Sequence, residues 1–100
     1  MKIRIKGPIP VKYPISLQEV ISNIEHIPDE QTIYAEQPWI ITSKAIALSD
    51  DEKMEVIIED KCYSYFLEVF IIKELIEDLD DSLNNQELVF KIIQYAINDA

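Results

Sequence analysis

Glycine occurs once in these 100 residues, and so do histidine, cysteine and tryptophan. A single glycine, Gly7, excludes a phosphate-cradling loop, which needs several to let backbone approach phosphate closely. It also excludes a Gly-x-Ser-x-Gly nucleophile elbow. A single cysteine, Cys62, excludes an internal disulfide and a thiolate cluster, and agrees with a reducing compartment. Four nitrogen or sulfur ligands for a structural zinc cannot be assembled from one histidine and one cysteine. Long apolar runs are missing too: none approaches the ~18–20 residues that span a bilayer. The opening Met1-Lys2-Ile3-Arg4-Ile5-Lys6 alternates charge with isoleucine, unlike the continuous apolar segment of a signal peptide. The expectation is a cytoplasmic protein with no membrane partner.

Basic residues are also scarce, at 9 against 19 acids for a net charge of −10. Their distribution is uneven. Residues 1–18 carry Lys2, Arg4, Lys6 and Lys12 and no acid, whereas the rest holds all 19 acids against five lysines, leaving −14. Direct nucleic-acid binding by such a body is disfavoured, because phosphate contacts need clustered Lys and Arg. A protein partner with a basic surface is favoured, since acidic surfaces steer such partners.

What is present suffices for one folded domain over 1–100. The apolar fraction is 48% and charged residues make up 28%, so disorder is not expected. Lys2 to Lys6 alternates with period two and reads as a strand with its cations suited to a sheet edge. Gly7-Pro8-Ile9-Pro10 and Tyr13-Pro14 impose an extended connector. Ser16-Leu17-Gln18-Glu19 has the form of a capping box, and Leu17, Val20, Ile21, Ile24 and Ile27 follow on one helical face until Pro28. Strands are expected at 31–36, 39–42, 44–48 and 55–59, the last two paired as a hairpin around Asp50-Asp51-Glu52-Lys53. A further strand ends near Leu67 to Val69 and passes into a helix running to about Leu79. Asn84 or Asn85 caps a last helix whose stripe is Leu88, Val89, Ile92, Ile93, Ala96 and Ile97. The implied fold class is α+β, an antiparallel or mixed sheet of four to five strands with three helices packed mainly on one face.

No catalytic residue, metal ligand or cofactor site emerges, and the chain does not read as an enzyme. His26 sits where a helix end favours a cation. Cys62, a lone thiol beside Lys61, is a weak reactivity signal. Glu68 stands among Tyr65, Phe66, Leu67, Val69 and Phe70, close to the core by either reading, where a carboxylate needs a partner or an elevated pKa; pairing with Lys or Arg is the expectation, and a functional role the alternative. Its replacement by Gln is expected to change stability more than binding. The candidates for binding a partner are acidic. Asp50, Asp51 and Glu52 gather at the turn, without the spacing or glycine of a calcium loop. Glu74, Glu77, Asp78 and Asp81 fall on one helical face, with Asp80 beside them. Like charges at that spacing cost about 0.2–0.5 kcal/mol per pair, which local stability does not explain.

Three segments carry a resemblance: Thr32-Ile33-Tyr34-Ala35-Glu36-Gln37-Pro38-Trp39, Tyr65-Phe66-Leu67-Glu68-Val69-Phe70-Ile71-Ile72-Lys73-Glu74 and Tyr95-Ala96-Ile97-Asn98-Asp99-Ala100. Through them the chain resembles small acidic bacterial immunity proteins of polymorphic toxin and contact-dependent growth inhibition systems. The resemblance implies a cytoplasmic domain that binds a cognate toxin, often a basic nuclease, and occludes its active site. It assigns no functional residues. The alternative is a non-enzymatic accessory or regulatory domain that homodimerises through its strands or its last helix.

Overall fold

The structure, a computed structural model, describes residues 14–49, 54–79 and 81–99. The strand and connector expected over residues 2–10 lie outside them, as does the turn at 50–53. Among the described residues nine elements follow one another: β1 (Ile15–Ser16), α1 (Leu17–Ser22), a 3₁₀ turn (Ile24–His26), β2 (Thr32–Ala35), β3 (Lys44–Leu48), β4 (Glu55–Ile58), β5 (Lys61–Glu68), α2 (Val69–Asp78) and α3 (Asn85–Asp99). The strands form one sheet in the order β1-β3-β2-β5-β4, antiparallel at every pairing. With three helices this is the expected α+β class.

The first helix starts as its sequence dictates. Ser16 Oγ accepts from the Glu19 amide at 3.1 Å, and Glu19 Oε1 accepts from the Ser16 amide at 3.2 Å. Leu17, Val20, Ile21, Ile24 and Ile27 are all buried. The helix is not continuous to Ile27, however. Asn23 Nδ2 donates to the Glu19 carbonyl at 2.9 Å, and the chain tightens into the 3₁₀ turn. A short amide side chain competing with the backbone ladder is the physical reason.

β2 is the centre of the sheet. Successive strand side chains point to opposite faces, and all four of its residues are buried, so both faces are covered there. The register places Ala45 opposite Ala35 and Ala47 opposite Ile33 on one face, and Ile46 opposite Tyr34 on the other. Between β2 and β5 the register shifts after Ile33, leaving Phe66 as the extra residue between Tyr65 and Leu67. Phe66 packs edge to face on Trp39, with ring centroids 5.0 Å apart.

Two expectations about strands fail here. Residues 39–42 form a turn, not a strand. The Trp39 indole donates to the Ala35 carbonyl at 3.2 Å, and the Ser43 hydroxyl bridges the Pro38 carbonyl and the Ile40 amide, each at 2.9 Å. These bonds use backbone groups that a ladder would need. Nor do β3 and β4 make a hairpin: β3 lies between β1 and β2, and among the described residues β4 is an edge strand paired only with β5. The observed hairpin is β4–β5, closed by Glu59 and Asp60 at φ 49° and 67°. Both signs match a two-residue primed turn, though neither residue is the glycine or asparagine usual there.

α1 contacts α3 and β3, while α2 contacts β5, the 3₁₀ turn and α3. Asn84 opens α3: its Oδ1 accepts from the Glu87 amide at 2.8 Å, and its own amide donates to Glu87 Oε1 at 3.0 Å. Val89, Ile92, Ile93 and Ala96 are buried as expected, but Ile97 is not.

Candidate functional site

The change from strand to helix at Glu68 and Val69 decides which carboxylates reach solvent. β5 runs to Glu68 and α2 begins at once, so Val69 and Ile72 turn into the core at helical spacing while Leu75 and Ile76 are half-buried. Glu74, Glu77 and Asp78 then fall on the outer side and are exposed. Three- and four-residue spacings make them neighbours. Among the described residues none of the three has an ion-pair or hydrogen-bond partner. Phe70, four residues before Glu74, is 44% exposed on the same side. An acidic ridge with an aromatic at one end is therefore presented by a fully anchored helix.

Asp81 is exposed but lies in the turn after α2, which ends at Asp78. It does not share the helical face on which the spacing placed it. Asp50, Asp51, Glu52 and Asp80 lie outside the described residues. Glu68 is half-buried at the N-cap of α2 and has no ion-pair partner among the described residues. Its place at a helix N-terminus gives a carboxylate a favourable dipole, which explains its position without a basic partner.

Sequence reasoning missed one acid that tertiary contact brings to α2, Asp29. The 3₁₀ turn packs against α2, and Lys73 spans the two, donating to the Ile27 carbonyl at 3.0 Å and pairing with Asp29. Glu25 and Glu30 are exposed on the same segment. No local pattern in the sequence marks Asp29, because its approach depends on a contact between positions 46 residues apart. Lys73, the one base on α2, is thereby committed inwards.

Two concave places offer other chemistry. A cleft of about 620 Å³ is lined by Trp39, Phe66 and Ala96 with Gln37, Glu55 and Ser64. Among the described residues its lining also includes Met54 and Tyr65, and Glu55 is its one carboxylate. A smaller hollow brings together Glu36, Glu59, Lys44, Lys61 and Tyr63, so its charges largely balance. There, burial and then the carboxylates of Glu36 and Glu59 push the Tyr63 phenol above its ordinary value. His26 and Cys62 are both exposed. Among the described residues no group of three or more His, Cys, Asp and Glu is placed to hold a metal ion, and no helix is long and apolar enough to cross a membrane.

No protein-family model matches the chain, and neither a curated protein nor a solved structure matches it.

Proposed function

We propose that this protein is an immunity protein that binds and neutralises a cognate toxin domain with a basic, nuclease-type active site. The observation that carries the reading is the α2 ridge: Glu74, Glu77 and Asp78 are exposed, unpaired among the described residues and flanked by exposed Phe70. The contact set is Asp50, Asp51, Glu52, Glu74, Glu77, Asp78, Asp80 and Asp81. Carboxylates at helical spacing imitate the charge of a phosphate backbone and dock on the groove that would hold it, occluding the active site. Long-range attraction speeds encounter, and Phe70 supplies an apolar anchor that slows dissociation. The chain acts by occupancy, in the cytoplasm of the toxin-producing bacterium, with no catalytic step, cofactor or direct nucleic-acid contact.

The test is recovery of the partner from the native cell on immobilised protein at low salt, elution at high salt, and titration of the eluted protein's nuclease activity. Activity that falls to background at one equivalent supports the reading. A recovered partner that is acidic, or whose activity is untouched at excess, contradicts it.

A further inference from the structure

A second surface differs from the ridge in having an uncharged groove at its centre, among the described residues. Phe90 and Ile97 on α3 are 55% and 54% exposed, and Ile40 in the turn beside them is 55% exposed. Together with Trp39, Ile41, Ile93 and Gln94 they line a groove of about 270 Å³. A neighbouring hollow shares Trp39 and Ile97 and continues the face to Gln37 and Pro38. Among the described residues not one that lines either is acidic or basic, although the chain carries −10 overall. Half-exposed phenylalanine and isoleucine flanking an apolar groove are unfavourable to leave in water.

We infer that this face pairs with a second copy of the chain, the two α3 helices crossing antiparallel. Two molecules of −10 repel wherever their acidic surfaces meet, so self-association is favoured at a face whose centre carries no acid, and this groove is one. A basic partner gains no electrostatic energy here, which separates this face from the ridge. Antiparallel crossing also makes the face self-complementary, as a two-fold interface must be. Phe90 of one copy lies over Ile97 of the other and enters its groove, and the reverse contact follows by symmetry. The same register sets exposed Lys91 beside the last turn of the other α3. That turn has no basic residue of its own to balance the negative end of the helix dipole. The inference does not rest on the toxin reading, and salt separates the two. Screening weakens docking on the ridge, but relieves repulsion between like-charged copies and leaves an apolar contact intact.

Sedimentation velocity and light scattering on the full chain, at concentrations of roughly 1–100 µM suited to a small interface, test this. The expected result is a species of twice the 11.6 kDa chain mass at the upper end of that range, at low and at high salt. Phe90→Glu and Ile97→Glu each return a monomer with an unchanged far-UV circular dichroism spectrum. Lys91→Glu weakens the dimer without altering apolar surface, and the milder Phe90→Ala serves if the glutamate variants fail to fold. Ile57→Glu, on the exposed edge strand β4, leaves the dimer in place. A wild-type monomer throughout the range overturns the inference. So does a dimer that survives both Phe90→Ala and Ile97→Glu, or one abolished by Ile57→Glu.

Discussion

The Lys73 ammonium, on α2, donates to the carbonyl of Ile27 at 3.0 Å, closing a contact across 46 residues. The same nitrogen pairs with Asp29, whose side chain is 66% exposed against 22% for Lys73. One lysine therefore fixes the helix that carries the acidic ridge to the turn that ends the first helical segment.

The two partners of Lys73 are worth different amounts. Asp29 is mostly in water, where an ion pair contributes less than about 1 kcal/mol. The Ile27 carbonyl is part-buried, and leaving such a group unpaired costs about 1–3 kcal/mol. Lys73→Met is expected to lower stability by about 1–3 kcal/mol and Asp29→Asn by less than about 1 kcal/mol, both read from urea denaturation midpoints. Equal losses would mean that the ion pair, not the carbonyl contact, holds α2.

Thr32 points the other way. It is fully buried in the central strand, and its hydroxyl has no hydrogen-bond partner among the described residues. Burying an unpaired hydroxyl is unfavourable, and valine has nearly the same shape with high strand propensity. Thr32→Val is expected to stabilise the protein by about 1 kcal/mol in the same assay. A loss of stability would mean that the hydroxyl is satisfied in solution.

Tyr63 governs an alkaline limb. Its phenol is raised above 10.0 by burial, with smaller contributions from Glu36 and Glu59, so the fold favours the neutral form. An unfolded chain releases that proton first. The associated stability is complete below the unfolded value near 10.0 and is lost as pH rises through the folded value. Denaturation midpoints measured from pH 8 upwards should fall less steeply for Tyr63→Phe than for the parent, at pH values above about 10. Parallel curves would show that Tyr63 titrates alike folded and unfolded.

How much of this was legible in the sequence depends on the range of the interaction involved. The Ser16–Glu19 box, a cap at Asn84 or Asn85 and the passage from β5 into α2 near Val69 are local, and the residues alone announce them; the bonds between Asn84 and Glu87 settle the cap on Asn84. So is the outward placement of Glu74, Glu77 and Asp78, which follows from helical spacing once Ile72 is inside. The strand order is not local. β3 reads as half of a hairpin with β4, yet its Ala45 and Ala47 fit the crowded centre beside β2, while β4 exposes Glu55 and Ile57 and takes the edge. Trp39 to Thr42 has strand composition, but a Ser43 hydroxyl and an indole N–H claim the backbone first. Ile97 continues an apolar stripe that the fold ends at Ala96, since nothing among the described residues covers the last turns of α3.

The ridge should cost the free protein a little stability in return for its binding. Replacing Glu74, Glu77 and Asp78 with Gln, Gln and Asn removes like-charge neighbours and is expected to stabilise the chain by about 0.2–0.5 kcal/mol per relieved pair. Affinity for the basic partner should move oppositely. The most direct measurement is the association rate of that partner with the parent and with the triple variant across a range of ionic strength. Docking through the ridge predicts a parent rate that falls steeply with salt, and a triple variant that is slower at low salt and much less sensitive to it. Parent and variant rates that coincide at every salt concentration would contradict it.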